Sequence, residues 1–463
     1  MQFAPRYRPK PTLTGDLQFA LRYEGLNLEV LALLFMRTGR TDIEAHLAEK
    51  PESSFARRIG YLYEWLTNEE IKAEVAPRAG YVPVLDESLQ FGRGDGPRNR
   101  KFRVTDNLPG DRRFCPLVRK TAYLQAMVHK NLKQRTLDTL AKYDADLLRR
   151  AAAFLYLKET HSSFEVEREK PSPDRAQRFA GLLREAESGI ALSEDRFVQL
   201  QNAVLDSRFH EFSYRNKQNW VGLDLGYRKK LDFVPPRPEN VRDLMTGLVE
   251  FSETIRSDSG TLDPVVAAAM LAFGFVFIHP FMDGNGRLHR FLIHEVLSSC
   301  GFTPKGIVLP VSAVILANPE EYVHTLERFS KPMQALTSYN PDTPEVAAKG
   351  NDARYFRYFD ATDQTSFLYR ALERTVEQDL EEEISYLLGF DAAHAALNNI
   401  LDWPAHSLDL FIRLVHQNQG GLSKTKQQSH FAWMTDEEVK RAEAMVGEAF
   451  SLPTVAKAPV RAP

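Results

Sequence analysis

One apolar stretch and the glycine-rich segment behind it constrain the fold of this 463-residue chain more than any other feature. Residues 264–278 are apolar on nearly every face, which is typical of a buried helix. Pro280 disfavours helical backbone at His279, so that helix should end there. Residues 287–300 again have a helical pattern, with Gly301 as the stop. The sequence therefore predicts a tight loop between two helices.

The composition of this loop suits a phosphate group. Gly284, Asn285 and Gly286 stand at the start of the second helix, where free backbone N–H groups and the helix dipole favour an anion. Glycine also lets a ligand approach the backbone closely. Arg287 and Arg290 are three residues apart, so they share a helix face and can hold further phosphate oxygens.

Two more side chains in the same segment can do chemistry. Asp283 is a candidate ligand for a magnesium ion that bridges phosphates, and His279 is a candidate general base. A lone histidine is more often structural, and an arginine pair is more often a solvated face. The nearby His289 and His294 are expected to be structural. A phosphate cradle, a metal ligand and a base within twelve residues nevertheless predict chemistry on a nucleotide phosphate.

The segment His279-Pro-Phe-Met-Asp-Gly-Asn-Gly-Arg-Leu-His-Arg290 closely resembles the signature His-Pro-Phe-x-Asp-Gly-Asn-Gly-Arg-x-x-Arg of the Fic family. The resemblance implies an all-α, Fic-type helical core with a short β-hairpin flap, flanked by N- and C-terminal helical regions. It also implies an adenylyltransferase, an enzyme that transfers AMP from ATP to a Tyr, Ser or Thr hydroxyl of a target protein.

The resemblance further implies a role for each motif residue. His279 would deprotonate the target hydroxyl, which then attacks the α-phosphate while pyrophosphate leaves. Asp283 would hold Mg²⁺ on the α- and β-phosphates. The remaining positions would bind phosphate oxygens: an anion hole from Gly284, Asn285 and Gly286, an assisting Arg287, and Arg290 on the γ-phosphate. Such transfer depends mostly on positioning and charge neutralisation.

A second segment is similar to the inhibitory Ser/Thr-x-x-x-Glu motif of many Fic proteins. In those relatives the glutamate pairs with the last arginine of the signature and blocks the γ-phosphate position. Here the motif would be Ser163 to Glu167, and the pair would be Glu167 with Arg290. The residue after the glutamate is usually Gly or Asn, whereas this chain has Arg168. Glu165 is the neighbouring alternative.

Two β-prone pieces around a glycine-bearing turn predict a hairpin between residues 220 and 234. The hairpin resembles the family's flap, which lies over the active site and pairs with an extended target segment. Phe233 and Val234 are accordingly expected to dock the target. The alternative is an ordinary surface hairpin.

The length predicts two or three domains. We expect an N-terminal helical region over 1–145, a Fic domain with its inhibitory helix over 146–335, and a C-terminal helical module over 336–463. In that module a break at Gly420-Gly421 separates two helical segments, which is consistent with a helix-turn-helix. Such spacing is also common in helical bundles, so a packing or partner-binding module is favoured.

Charge and composition restrict the partners. A net charge of −3 gives no global attraction to nucleic acid or acidic membranes, so only the short basic cluster from Arg98 to Arg103 and the C-terminal module could contact nucleic acid. Two cysteines provide no disulfide framework, no apolar run approaches ~20 residues, and the N-terminus does not resemble a signal peptide. We therefore expect a cytoplasmic protein without a membrane partner. Homo-oligomerisation is left open.

Two alternative functions remain at this point. Fic relatives also use other nucleotides, phosphorylate, or remove AMP, and the sequence shows phosphate-binding groups rather than a pocket that recognises a base. The other alternative is a DNA-binding regulator whose Fic core only senses a nucleotide. Salt-dependent DNA binding by the C-terminal module would favour that second alternative.

Overall fold

We analysed a computed structural model, which describes residues 3–72, 79–257, 261–404 and 406–451. The fold is predominantly helical, as predicted, with two small sheets. The α-helices described are α1 (Leu13–Tyr23), α2 (Leu28–Phe35), α3 (Arg40–Glu49), α4 (Ser54–Thr67), α5 (Ala122–Lys130), α6 (Leu132–Leu140), α7 (Ala145–Val166), α8 (Pro173–Glu185), α9 (Glu194–Val204), α10 (Pro238–Ser257), α11 (Pro264–Ile278), α12 (Asn285–Ser299), α13 (Val311–Ala317), α14 (Pro319–Leu336), α15 (Ala353–Arg357), α16 (Thr362–Arg374), α17 (Leu380–Asn398), α18 (Ser407–Gln417), α19 (Lys424–His430) and α20 (Asp436–Ser451).

The strands form one three-stranded and one two-stranded sheet. In the first, β3 (Val104–Thr105) lies between β1 (Val82–Pro83), to which it is parallel, and β2 (Arg98–Asn99), to which it is antiparallel. The second is the antiparallel hairpin of β4 (Val221–Asp224) and β5 (Lys229–Phe233). The predicted hairpin is thus confirmed as an element.

Helix α11 forms the centre of the fold. Every residue from Val265 to Ile278 is buried, which confirms the predicted buried helix. Helices α10, α12 and α16 pack around α11. Gly274 admits the ring of Phe114, because a Cβ at this position would lie 2.3 Å from Phe114 Cζ. Neighbouring elements therefore hold α11 closely on all sides, and its C-terminal end is a rigid starting point for the loop that follows.

The hydrophobic core consists of three clusters. One lies among α1–α4 and the first sheet, the largest surrounds α11 and extends from Phe91 to Ile384, and the third lies among α17–α20. Helices α5, α6 and α16 pack into the central cluster. The borders between the hydrophobic clusters therefore do not fall at residues 145 and 335. As domain limits, the predicted boundaries stay predictions.

The basic segment of the first sheet is paired largely within the protein. Arg98 and Arg103 lie over the ring of Tyr81 at 5.2 and 5.3 Å, and Lys101 forms an ion pair with Glu64. Whether this segment contacts nucleic acid stays a prediction.

The C-terminal module has the predicted helices α18–α20. Gln419 and Gly420 have positive φ angles at the predicted break between α18 and α19. Helix α19 has no buried side chain, while α18 and α20 each bury one face. Whether the module binds DNA or packs against a partner stays a prediction.

Length and polarity of the helices bear on membrane insertion. Within the described ranges, none of the helices has both the length and the apolar content that crossing a bilayer requires. The cysteines, Cys115 and Cys300, are both free thiols.

Candidate active site

The predicted loop connects α11 to α12. His279 caps α11 in the left-handed conformation at φ 52°, and Gly284 precedes α12 at φ 87°. The Asn285 side chain closes the loop, because its Oδ1 accepts from Phe281 N at 3.1 Å and its Nδ2 donates to Phe281 O at 2.8 Å. Helix α12 begins at Asn285, slightly earlier than predicted, and ends before Gly301 as expected.

A buried arginine that sequence reasoning missed holds the same loop. Arg215 is 4% exposed and donates from Nε to His279 O at 2.8 Å and from Nη2 to Pro236 O at 2.6 Å. Its backbone N–H donates to Pro280 O at 2.8 Å. Burial lowers the pKa of Arg215 to about 9. A cation at these carbonyls also complements the dipole at the end of α11. No local pattern marks Arg215 in the sequence.

The ring of His279 is oriented as a general base requires. Nδ1 lies 3.1 Å from Val276 O, so this nitrogen carries the proton and Nε2 is left as the acceptor. Burial and the nearby Arg215 lower the pKa of His279 to about 4. The imidazole is therefore neutral near pH 7, the form that can accept a proton.

Asp283 provides an exposed carboxylate beside the start of α12. Its side chain is 52% exposed, and Oδ1 accepts from Gly284 N at 2.5 Å and from Arg287 Nη2 at 3.1 Å. Glu211 accepts from the neighbouring Met282 N at 2.8 Å. In the described part of the chain, no three acidic, His or Cys side chains converge as metal ligands. Magnesium commonly takes one or two carboxylates and completes its coordination shell with phosphate oxygens and water. Asp283 therefore fits a magnesium site that it would share with a bound phosphate.

Polar side chains join α7 and the residue that caps it to α12. On the α7 side these residues are four positions apart. Glu159 binds His294 Nε2 at 2.8 Å, Ser163 Oγ accepts from Arg290 Nε at 2.9 Å, and Glu167 Oε1 accepts from Arg290 Nη2 at 2.9 Å. The structure thus brings together the pair expected from the Ser-x-x-x-Glu resemblance. Glu159 is fully buried and also accepts from Ser312 N at 2.9 Å, which fixes the register of α7.

Glu167 lies directly against the start of α12, the predicted phosphate cradle. A Cβ on Gly286 would be 2.0 Å from Glu167 Oε1, so only glycine leaves room for this carboxylate. Arg290 is fully buried. Burial alone would raise the pKa of Glu167, but the charge and hydrogen bond of Arg290 outweigh it and lower the pKa. The carboxylate is therefore ionised near pH 7, and the ion pair weakens only on acidification below the ordinary Glu range.

The turn after Glu167 has a geometry that favours Gly or Asn at the position where this chain has Arg168. Arg168 has φ 58°, its N–H donates to Glu165 O at 2.8 Å, and Glu169 N donates to Phe164 O at 3.1 Å. These are the two hydrogen bonds of a Schellman turn, in which glycine usually takes the left-handed position. An arginine there costs about 1 kcal/mol in steric strain.

Arg287 has two carboxylate partners. Its side chain is 2% exposed, Nη1 lies 2.8 Å from Glu169 Oε2, and Nη2 binds Asp283. Its guanidinium carbon lies 5.4 Å from the ring centre of Phe164. Glu169 was not singled out by sequence reasoning, because a glutamate beyond a helix end has no pattern that identifies its partner.

The β4–β5 hairpin requires a correction to the predicted docking residues. The side chains of Phe233 and Val234 are 7% and 5% exposed, and Phe233 packs against Phe277 and Phe329. Because β5 lies against α14 and the core, these two side chains are not exposed for contact with a target. The exposed apolar side chains of the hairpin are Val221, Leu223, Leu225 and Tyr227.

His289 has a structural environment, as expected. It is buried beside Phe273, and its Nδ1 lies 2.8 Å from Ala272 O, so it joins α12 to α11. Burial lowers the pKa of His289 to about 3, so this ring is neutral too. His294 is bound by Glu159, as described above.

Residues 191–297 match the model of the Fic/DOC family. This chain carries a Fic domain. The matched range includes the hairpin and the motif loop but begins after α7, so Ser163 and Glu167 lie outside it.

Several curated relatives are similar to parts of the chain. "Protein adenylyltransferase Fic" of Nematostella vectensis is 28% identical over 229 residues, 48% of this chain and 47% of that protein. "Protein adenylyltransferase fic-1" of Caenorhabditis elegans is 35% identical over 140 residues, 30% and 25% of the two chains. A Fido domain-containing protein of Dictyostelium discoideum is 39% identical over 89 residues, 19% and 57%. The chain thus spans about half or less of the adenylyltransferases it matches.

The lowered pKa of His279 predicts a titration outside the ordinary histidine range. In the Fic domain at rest, the imidazole Hε1 resonance of His279, assigned with His279→Gln, should not shift between about pH 8 and about pH 5.5. The reason is that its pKa of about 4 lies below this window. A two-dimensional NMR titration tests this, and a midpoint near the usual histidine value would contradict the described environment.

Proposed function

We propose that this Fic domain transfers AMP from ATP to a Tyr, Ser or Thr hydroxyl of a target protein, and that α7 inhibits it. The observation that carries the proposal is the convergence, in one loop, of a neutral His279, the start of α12 and the buried Arg290. Two relatives named as protein adenylyltransferases support AMP as the transferred group and ATP as the nucleotide.

In this proposal the loop residues act by position and charge. Nε2 of His279 accepts the proton of the target hydroxyl as that oxygen attacks the α-phosphorus and pyrophosphate leaves. The N–H groups of Asn285 and Gly286 at the start of α12 would face the phosphates, as helix starts do at many anion sites, and that of Gly284 would join them on leaving Asp283 Oδ1. Bound Mg²⁺, held by Asp283 together with phosphate oxygens, would neutralise charge on the α- and β-phosphates.

The proposed inhibition follows from competition for Arg290. Removing a guanidinium from water is costly unless acceptors replace the water, and an anion compensates its charge best, so Arg290 favours a negatively charged partner. Glu167 is that partner here, at 2.9 Å, with Ser163 as a second acceptor. We propose that the γ-phosphate of ATP takes the same place, so nucleotide and Glu167 exclude each other.

The proposed target site is the exposed edge of the β4–β5 hairpin. An extended target segment would add to this edge through backbone hydrogen bonds, which brings its hydroxyl to His279 without reading much sequence. Exposed apolar side chains on β4, such as Leu223 at 46%, would contact the segment. The cytoplasm is the proposed location. The buried free thiol of Cys115 supports it, because thiols stay reduced in that compartment.

Glu167→Gly is expected to activate the enzyme. The change leaves Arg290 buried without its carboxylate, so binding of Mg²⁺–ATP should tighten roughly tenfold or more, with a comparable rise in protein labelling. Calorimetry and AMP transfer to proteins of a cell lysate measure the two effects. Glu165→Gly, an exposed position on the same turn, is the matched control. If neither affinity nor labelling rises, Glu167 does not inhibit.

Leu223→Lys, introduced together with Glu167→Gly, should weaken AMP transfer to protein targets several-fold because it disrupts apolar contact at the β4 edge. Affinity for ATP and the melting temperature should stay unchanged, since Leu223 is exposed and outside the loop. Val323→Lys, at an exposed site on α14, controls for the added charge. Equal loss of ATP binding and transfer would argue against docking at this edge.

A further inference from the structure

The first arginine of the motif, Arg287, is paired with carboxylates just as the last one, Arg290, is. Arg287 lies at the N-terminal turn of α12, its side chain is 2% exposed, and Glu169 binds it at 2.8 Å. Its Nε is buried with no hydrogen-bond partner among the residues that the structure describes. A phosphate that uses Arg287 would have to compete with Glu169.

We propose that Glu169 is a second inhibitory carboxylate, which occupies Arg287 while Glu167 occupies Arg290. The inference rests on the proposed function, because it assigns a regulation to the same phosphate site. Inhibition then consists of two acidic side chains on two arginines that lie three residues apart on one helix face. The nucleotide must displace both to bind with its full set of phosphate contacts.

The turn at Arg168 makes this double contact feasible. Consecutive helical positions diverge by about 100°, so two acidic residues two apart on a helix would not face one neighbour. Helix α7 ends at Val166, and the left-handed Arg168 reverses the chain between Glu167 and Glu169. Both carboxylates thereby reach α12 from a single turn.

Glu169 also has a second partner, with which it can stay paired when Arg287 is released. The same Oε2 accepts from Arg175 Nη2 on α8 at 2.7 Å. Arg175 in turn donates to Val204 O, at the end of α9, at 3.0 Å. Releasing Arg287 therefore does not leave Glu169 without a cation, and the contact can open without unfolding the turn.

The partial exposure of Glu169 limits the expected size of its effect. Its side chain is 36% exposed, so solvent screens the pair with Arg287. Glu169→Gln should tighten binding of Mg²⁺–ATP and of inorganic tripolyphosphate roughly three- to tenfold, in the wild type and in Glu167→Gly alike. Tripolyphosphate reports on the phosphate cradle without a base, so the result does not depend on nucleotide identity.

The experiment is isothermal calorimetry on the full chain in six forms: wild type, Glu169→Gln, Glu167→Gly, the double variant, Arg175→Met, and Glu165→Gln. The last removes the same charge from the same turn at an exposed position, and it should change the affinity less than about twofold. Arg175→Met should change the affinity in the opposite direction. It leaves Arg287 as the remaining cation on Glu169, so binding of both probes should weaken.

Unchanged or weaker binding in a folded Glu169→Gln protein would overturn the inference and leave Glu169 as a support for Arg287. Tighter binding in Arg175→Met would overturn it as well, and this variant decides the matter if Glu169→Gln loses its cooperative melting transition. Failure of the proposed function is seen separately. It would appear as absent AMP transfer in Glu167→Gly, whatever the binding of tripolyphosphate.

Discussion

The buried guanidinium of Arg290 is the constraint on which the rest of the site depends. A fully buried guanidinium needs acceptors around it, and a carboxylate compensates its charge best, because an unpaired buried charge costs several kcal/mol. In the folded chain α7 supplies this partner through Ser163 and Glu167. The contacts of Glu159 with His294 and Ser312 keep α7 in register with α12. A single electrostatic requirement thus couples the upstream helix to the motif loop, and it makes exchange with a phosphate physically reasonable.

The close packing of α11 positions the other end of the loop, at His279. Its buried faces fix where the helix ends, and the cap at His279 turns the chain sharply through a left-handed residue. Arg215 holds the carbonyls at this end, and its charge helps to keep the imidazole neutral. His279 and the start of α12 are therefore positioned by packing around α11 rather than by an exposed surface loop.

Local sequence patterns predicted the parts of this architecture that are encoded locally. The apolar run, the loop and the helix start follow from Pro280, the glycines and helical periodicity, and the structure confirms these elements. The pairing of Glu167 with Arg290 came from family resemblance and not from spacing. Its geometry is as expected, and its inhibitory role stays a prediction.

Contacts between distant segments could not be predicted from one sequence. Arg215 and Glu169 matter through carbonyls and guanidinium groups far along the chain, which no local pattern identifies. The hairpin was found, but the two side chains predicted to dock a target are buried. Strand propensity largely reflects packing, so the apolar Phe233 and Val234 are the residues that the core buries.

The most direct test of AMP transfer with His279 as the base is a labelling assay with ATP that carries its label on the α- or on the γ-phosphate. Glu167→Gly protein, with cell lysate, should transfer label from the α-position only, and the double variant with His279→Ala should transfer none while still binding ATP. Label from the γ-position would instead mean phosphorylation by the same cradle. Undiminished α-label in the double variant would contradict the role of His279.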